Sequence, residues 1–288
     1  MRLSLLSAAL FTAFMAPLPT HAQDLHPFAD TSRLVSIGGS LTEIIYALGE
    51  EGRLVARDQT ATWPEAANAL PDVGYMRTLA PEGVLSVSPT ALLVIEGSGP
   101  PEALDVLEHA GVDYQSVPES YSAEGVLVKV RAVGQALGVP DKAEALAGEI
   151  EDQFAELATR NSAIETPKRV LFILSNQGGQ IQASGTGTAA DGIIALAGAV
   201  NAITEYPGYK PLSEEAITQA APDAIVMMDR GGDHGASDAE LLAHPAIALT
   251  PAGRDKAIYR LDGAYLLGFG PRTAAAATEL GDLLYGRH

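Results

Sequence analysis

The sequence predicts an α/β fold of two lobes, each a parallel sheet covered by helices, joined by one long helix. Three observations predict it. Short apolar runs alternate with helical patterns along nearly the whole chain, as βα units require. An unbroken amphipathic pattern runs from Asp141 to about Ser162. Residues 82–94 also match residues 215–227 at a constant offset of 133, and both read as helix, proline, buried strand.

Residues 33–39 form a short apolar strand that runs into Ser40-Leu41-Thr42-Glu43, read as a capping box that opens a helix to about Leu48, with Gly49 as its stop. Residues 54–56 are a strand, 81–87 a short helix, 91–95 a buried strand, 102–109 a helix and 112–117 a strand. Such alternation implies a parallel sheet with both faces covered, so the first lobe reads as an open α/β sandwich. A helix over about 122–137 closes at Gly138-Val139-Pro140. In the long helix that follows, Leu146, Ile150, Phe154 and Leu157 recur at spacings of three and four, and nothing suggests a flexible linker. The second lobe opens with a strand over 169–175. It continues through helices over about 189–196 and 213–220, strands over 224–228 and 257–261, and a last helix over about 271–285. The predicted organisation is a leader over 1–22, a first lobe over 23–140, an inter-lobe helix over 141–165 and a second lobe over 166–288.

Met1-Arg2, an apolar run to about Pro17 and Thr20-His21-Ala22 ahead of Gln23-Asp24 have the three parts of a secretory signal, with cleavage expected after Ala22. No other apolar run is long enough to span a bilayer, so no membrane insertion is expected after cleavage. The chain has no cysteine, which excludes thiolate metal sites and cysteine nucleophiles. An exported chain of this length buries enough apolar surface without disulfides. A net charge of −18 argues against nucleic acid or an anionic membrane surface as partner, since both need a cationic footprint. Local arginines can still take a carboxylate-bearing ligand.

Chemistry concentrates in Asp72-Val73-Gly74-Tyr75-Met76-Arg77. A tyrosine follows a glycine, an arginine stands two residues on, and a short helix opens at Pro81, so the phenol lies in a loop at an element boundary. Tyrosine is a hard oxygen ligand that suits ferric iron, and a nearby guanidinium favours its ionised form or pairs with a ligand carboxylate. From the residues alone, a half-buried packing group is the commoner reading of Tyr75, since isolated tyrosines at loop ends are frequent. Gly208-Tyr209 echoes Gly74-Tyr75 one residue out of step with the repeat. If the halves are equivalent, the loops ahead of these helices and after these strands face each other across a cleft. Enzyme signatures are weak. Gly185-Thr186-Gly187-Thr188-Ala189-Ala190 satisfies G-x-G-x-x-A, with Glu205 further on, but it falls deep in the second half. No G-x-S-x-G elbow and no His-Glu-x-x-His run occurs.

The run from Trp63-Pro64 through Leu70-Pro71-Asp72-Val73-Gly74-Tyr75-Met76-Arg77 to Glu82-Gly83-Val84-Leu85-Ser86, with Leu267-Gly268-Phe269-Gly270-Pro271-Arg272, resembles the periplasmic heme-binding proteins of bacterial heme ABC importers. These sit within a wider class of metal-chelate and cobalamin binding proteins. The likeness covers nearly all of the chain after the first thirty or so residues. Gly-Tyr-Met-Arg with its Glu-Gly-Val-Leu-Ser tail is specific to the heme branch. The resemblance implies two Rossmann-like α/β lobes on a helical backbone, with the ligand in the inter-lobe cleft. It implies no enzymatic activity, heme as the transported ligand, and a periplasmic monomer that delivers to an inner-membrane ABC permease dimer.

By the same resemblance Tyr75 is the heme-iron ligand, Arg77 stabilises the phenolate or reaches a propionate, Arg230 is the second propionate partner, and Tyr209 closes the other side. Met76, Leu267 and Phe269 are apolar wall if they lie near the site and core otherwise. Glu102 and Glu215 match positions that dock onto arginines of the permease, one per lobe. Some relatives carry a histidine in the loop after the first strand of the second lobe. Here that loop reads Ser175-Asn176-Gln177-Gly178-Gly179, which tells against six-coordinate iron or two stacked hemes. A ferric-siderophore or cobalamin carrier is the alternative within the class, and a dinucleotide-dependent enzyme the alternative outside it.

Overall fold

The structure, a computed structural model, describes residues 25–229 and 236–287. The expected leader with its cleavage site after Ala22, and Arg230, lie outside the described residues. In the first half, β1 (Leu34–Ile37), α1 (Gly39–Ala47), β2 (Leu54–Arg57), α2 (Pro81–Leu85), β3 (Ala91–Ile95), α3 (Pro101–Glu108) and β4 (Asp113–Val117) follow one another. Their four strands form an all-parallel sheet in the order β2-β1-β3-β4. After it come α4 (Ala123–Ala136) and the 22-residue α5 (Pro140–Asn161), which reaches about 33 Å at 1.5 Å per residue.

The second half contains β5 (Arg169–Gln177), β6 (Gln180–Ser184), α6 (Ala189–Leu196), β7 (Val200–Asn201), β8 (Tyr209–Leu212), α7 (Glu214–Ala220) and β9 (Ala224–Asp229). It ends with α8 (Asp238–Ala243), α9 (Pro245–Ala248), α10 (Pro251–Asp255), β10 (Ile258–Asp262), α11 (Gly263–Leu267) and α12 (Thr273–Tyr285). The sheet order is β10-β9-β5-β6-β8, with β7 beside β5. The repeat holds in three dimensions. Pro81 and Glu214, which open α2 and α7, keep the same offset as Ala91 and Ala224, which open β3 and β9.

Alternation along the strands shows why both sheets must be covered twice. In β3, Ala91, Leu93 and Ile95 enter one apolar cluster while Leu92 and Val94 enter another on the opposite face. In β9, Ala224 and Val226 join that same first cluster, while Ile225 and Met227 turn to a third. The first cluster is therefore continuous from the inner face of one sheet, through α4, α5 and α12, to the inner face of the other. The helix α5 contributes Ala143, Ala147, Ile150, Phe154 and Leu157 at the expected spacing, with Leu146 only half-buried. Close crossing of α4 and α5 depends on Gly134, where an added Cβ would stand 2.1 Å from that of Ala143.

Two local expectations are corrected. Ser40-Leu41-Thr42-Glu43 is not a capping box: α1 begins at Gly39, and its N-cap makes no side-chain bond. Glu43 instead accepts hydrogen bonds from Arg272, and Ser40 Oγ accepts from Lys129 Nζ at 3.4 Å, so tertiary partners have displaced the local cap. The segment 175–179 is not simply a loop, because Ser175, Asn176 and Gln177 continue β5 into a hairpin with β6. Its two-residue turn, Gly178-Gly179, has positive φ at both positions, as the twist of a tight hairpin demands. Paired with β8, this hairpin adds an antiparallel edge to an otherwise parallel sheet.

Candidate functional site

The carboxyl ends of strands from both sheets open onto one cleft of about 1060 Å³. Gly38 and Gly39 follow β1, Ile95 and Glu96 close β3, Glu119 and Tyr121 follow β4, Met228 and Asp229 end β9, and Asp262 ends β10. Tyr75, Met76, Arg77, Tyr209 and Leu267 line the same space. Tyr75 and Arg77, from one loop, and Tyr209 are thus brought together from two distant stretches of sequence. Phe269 is buried, with its ring edge-on to Tyr121 at 5.2 Å.

The backbone around Tyr75 is held on both sides while its side chain lines the cleft. The Asp72 carboxylate accepts the Gly74 N–H at 2.8 Å, and Gly74, at φ 106, gives its carbonyl to the Gln59 N–H at 2.8 Å. Beyond it, the Tyr75 carbonyl accepts from Thr78 at 2.9 Å and the Met76 carbonyl from Gly99 at 2.9 Å. Tyr75 is nevertheless 40% exposed, and it lines the cleft.

Arg77 is exposed, and among the described residues no carboxylate is ion-paired to it. Its charge reaches across the cleft. Burial pushes the Tyr209 phenol above its ordinary range, and hydrogen bonding to Thr188 and Ala190, then the Arg77 charge, pull it back. Tyr121 is raised by burial first and by Glu119 next, and Arg77 again opposes the shift. Tyr209 also stands edge-on to Phe172, at 6.5 Å between ring centres.

Acidic side chains line the cleft together with Arg77. These are Glu43, Glu96, Glu119, Asp229 and Asp262. Beneath Glu119 lies Lys129, fully buried, whose Nζ donates to Glu119 Oε1 at 2.6 Å and to the Phe269 carbonyl at 3.0 Å. Burial raises Glu119, against the pull of Lys129, and lowers Lys129, against the pull of Glu119. The half-buried Glu119 carboxylate, the buried Phe269 carbonyl and a nearby Ser40 hydroxyl satisfy the donors of an ammonium, so the pair is read as ionised.

The remaining sequence candidates fall elsewhere. Glu102 and Glu215 are exposed in the first turns of α3 and α7 and do not line the cleft. The G-x-G-x-x-A run fails as a pyrophosphate cradle. A Cβ on Gly185 would stand 1.9 Å from the Tyr206 carbonyl, so this glycine serves close backbone packing. Amides at the start of α6 are already taken, Gly187 N–H by the Asp191 carboxylate at 3.0 Å and Asp191 N–H by Thr188 Oγ1 at 3.0 Å. Among the described residues no cluster of three or more His, Asp or Glu suited to a bare metal ion occurs. Sequence reasoning missed Tyr121 and the acidic wall, because each is singled out only by the convergence of strand ends.

Known proteins share this fold. Residues 34–265 match the family described as periplasmic binding protein. The solved structure of the periplasmic heme-binding protein BhuT in complex with two hemes is 40% identical, with a TM-score of 0.83 over 88% of this chain and 97% of that one. The periplasmic heme-binding protein RhuT from Roseiflexus sp. RS-1, in apo form, is 39% identical, with a TM-score of 0.84 over 89% and 99%. The vitamin B12-binding protein of Photorhabdus laumondii is 26% identical over 88% of each chain.

Proposed function

This chain belongs to the periplasmic binding protein family, and from that premise we propose that it captures heme in the periplasm and delivers it to an inner-membrane ABC importer. The observation that carries the reading is the exposed Tyr75 beside Arg77 in a cleft large enough for a tetrapyrrole. Likeness to heme-binding structures near 40% identity exceeds that to the vitamin B12-binding relative at 26%.

In this reading the Tyr75 oxygen coordinates ferric iron, and the metal's charge displaces the phenolic proton. Arg77 favours the phenolate or takes a propionate through paired N–H···O bonds. Arg230 is the proposed partner of the second propionate. Tyr209 and Tyr121 flank the opposite side, and Met76 and Leu267 supply apolar contact to the macrocycle. No bond of the ligand is made or broken; the work is binding and release. Release is assigned to docking, with Glu102 and Glu215 meeting arginines of the permease dimer, one from each half of a monomeric carrier. Export by the leader ending at Ala22 places the carrier in that compartment.

A cobalamin carrier is the second reading, favoured by the vitamin B12-binding relative. Equilibrium titration of the exported protein against hemin, cyanocobalamin and a ferric siderophore separates the two. Saturation by hemin alone is expected, and saturation by cobalamin without hemin binding would replace the assignment.

A further inference from the structure

Directly after β2 stands Asp58, whose side chain is fully buried and which among the described residues has no cation ion-paired to its carboxylate. Arg57, its neighbour, donates to the Asp58 backbone carbonyl at 3.0 Å and turns its charge to Asp72 at 3.1 Å. The Asp58 carboxylate is instead surrounded by neutral donors. Its Oδ1 accepts the Gly38 N–H at 2.9 Å, its Oδ2 accepts the Thr60 N–H at 2.9 Å, and Thr60 Oγ1 lies 2.8 and 3.0 Å from the two oxygens. Burial raises its pKa, and hydrogen bonding from the Thr60 and Gly38 amides works against that rise.

Those donors belong to two segments that line the cleft, and Met76 of the Tyr75–Arg77 loop lines it with them. Gly38 opens the turn into α1, Thr60 follows β2, and Met76 lies between Tyr75 and Arg77. The Thr60 hydroxyl extends the connection, accepting the Gly39 N–H at 2.9 Å and lying 4.0 Å from Met76 Sδ. Adjacent to it, the Gln59 N–H holds the Gly74 carbonyl at 2.8 Å. There is little slack, since a Cβ on Gly38 would meet Ile95 at 2.6 Å and one on Gly39 would meet the Thr60 carbonyl at 2.6 Å.

We propose that Asp58 is a positioning residue for the ligand grip: its buried carboxylate ties the turn after β1 to the segment after β2, whose Gln59 N–H in turn holds the start of the Tyr75–Arg77 loop at the Gly74 carbonyl. This rests on the reading of Tyr75 as the iron ligand. A buried carboxylate without a counter-ion lowers stability, and its return here is a site held in one geometry. Asparagine is no substitute, because an NH2 group would then face an N–H or hydroxyl donor in place of one acceptor oxygen. Gly74 directly precedes Tyr75 and Met76 lies between Tyr75 and Arg77, so a displacement of residues 58–60 at the Gln59–Gly74 bond and the Thr60–Met76 contact re-aims both side chains together.

The test uses Asp58→Asn, with Thr60→Val as a milder variant, on the full exported chain in two arms. In the first, hydrogen–deuterium exchange is measured without ligand. Faster exchange confined to residues 38–39, 60 and 74–78 is expected, and unchanged exchange there in folded variants overturns the proposal. In the second, hemin is titrated into each variant with Tyr75 intact and with Tyr75→Phe. A loss of affinity of about 10–100-fold, as for other groups that orient a metal ligand, is expected with Tyr75 present and under about threefold with Tyr75→Phe. Equal losses in both backgrounds would mean that Asp58 acts on the cleft generally, and the proposal would be overturned. If the unaltered chain binds no hemin, the heme reading falls, and the exchange arm alone decides the role of Asp58. Should Asp58→Asn fail to fold, Thr60→Val carries both arms with the same expectations.

Discussion

Arg272, at the N-cap of α12, holds Glu43 of α1 through two side-chain bonds, Nε to Oε1 at 3.0 Å and Nη2 to Oε2 at 2.9 Å. The guanidinium also lies 4.5 Å from the Trp63 ring and 5.2 Å from that of Tyr265. One side chain from the last helix thus gathers the first helix, the loop that contains Trp63 and α11 at the edge of the cleft. Glu43 and Trp63 line that cleft, so the clamp bears on ligand access as well as on stability.

Arg272→Leu is therefore expected to lower unfolding free energy by roughly 2 kcal/mol, below the 3–5 typical of a fully buried broken pair because the arginine keeps some solvent. Arg272→Lys should recover less than half of this, since an ammonium supplies neither the bidentate fork nor ring stacking. Urea denaturation of the three proteins measures it. A lysine variant as stable as the original would mean that charge alone holds the contact.

At Gly185 the expectation is steric. An added methyl in Gly185→Ala would meet the Tyr206 carbonyl at 1.9 Å, so strands or helix must shift. A loss of about 1–3 kcal/mol is expected by thermal or urea unfolding. Unchanged stability would show that the close approach relaxes without penalty.

Glu50 gives the pH dependence a defined sign. Its carboxylate lies 2.6 Å from Lys142 Nζ and 2.7 Å from Arg53 Nε, and the Lys142 bond foremost holds its pKa below the ordinary 4.5. A depressed folded value means stabilisation that is present above 4.5 and lost as pH falls through the folded value. Glu50→Gln should cost about 1 kcal/mol at neutral pH, with the difference from the unaltered protein closing as pH falls below 4.5 and through the folded value. A gap that stays constant into acid would assign the effect to packing.

Charge reversal at both Glu102 and Glu215 should reduce heme uptake by cells at least about tenfold while leaving hemin affinity unchanged, because both lie outside the cleft. Normal uptake by the doubly reversed carrier would remove these residues from docking.

Much of the fold was legible because apolar periodicity is local. The spacing along α5, the buried strands β3 and β9 and the repeat that relates them need no long-range information. The antiparallel edge was missed although Gly178-Gly179 is a hairpin signal, since β6 and β8 are short and polar at several positions. Local rules failed at Glu43, where a capping pattern lost to an arginine 229 residues away. At the site, Tyr75 and Arg77 stood out because both lie in one short loop. Tyr121, Glu119 and Asp58 did not, because their meaning comes from burial and from neighbours that only the folded chain supplies.

The central claim, that Tyr75 holds the iron of a bound heme, is tested most directly by absorption titration of the exported protein with hemin beside the same titration of Tyr75→Phe. The account predicts saturable binding with a ferric tyrosinate spectrum in the unaltered protein, and loss of that spectrum with a large fall in affinity in the variant. An identical spectrum and affinity in both would contradict it and would place the iron on another ligand.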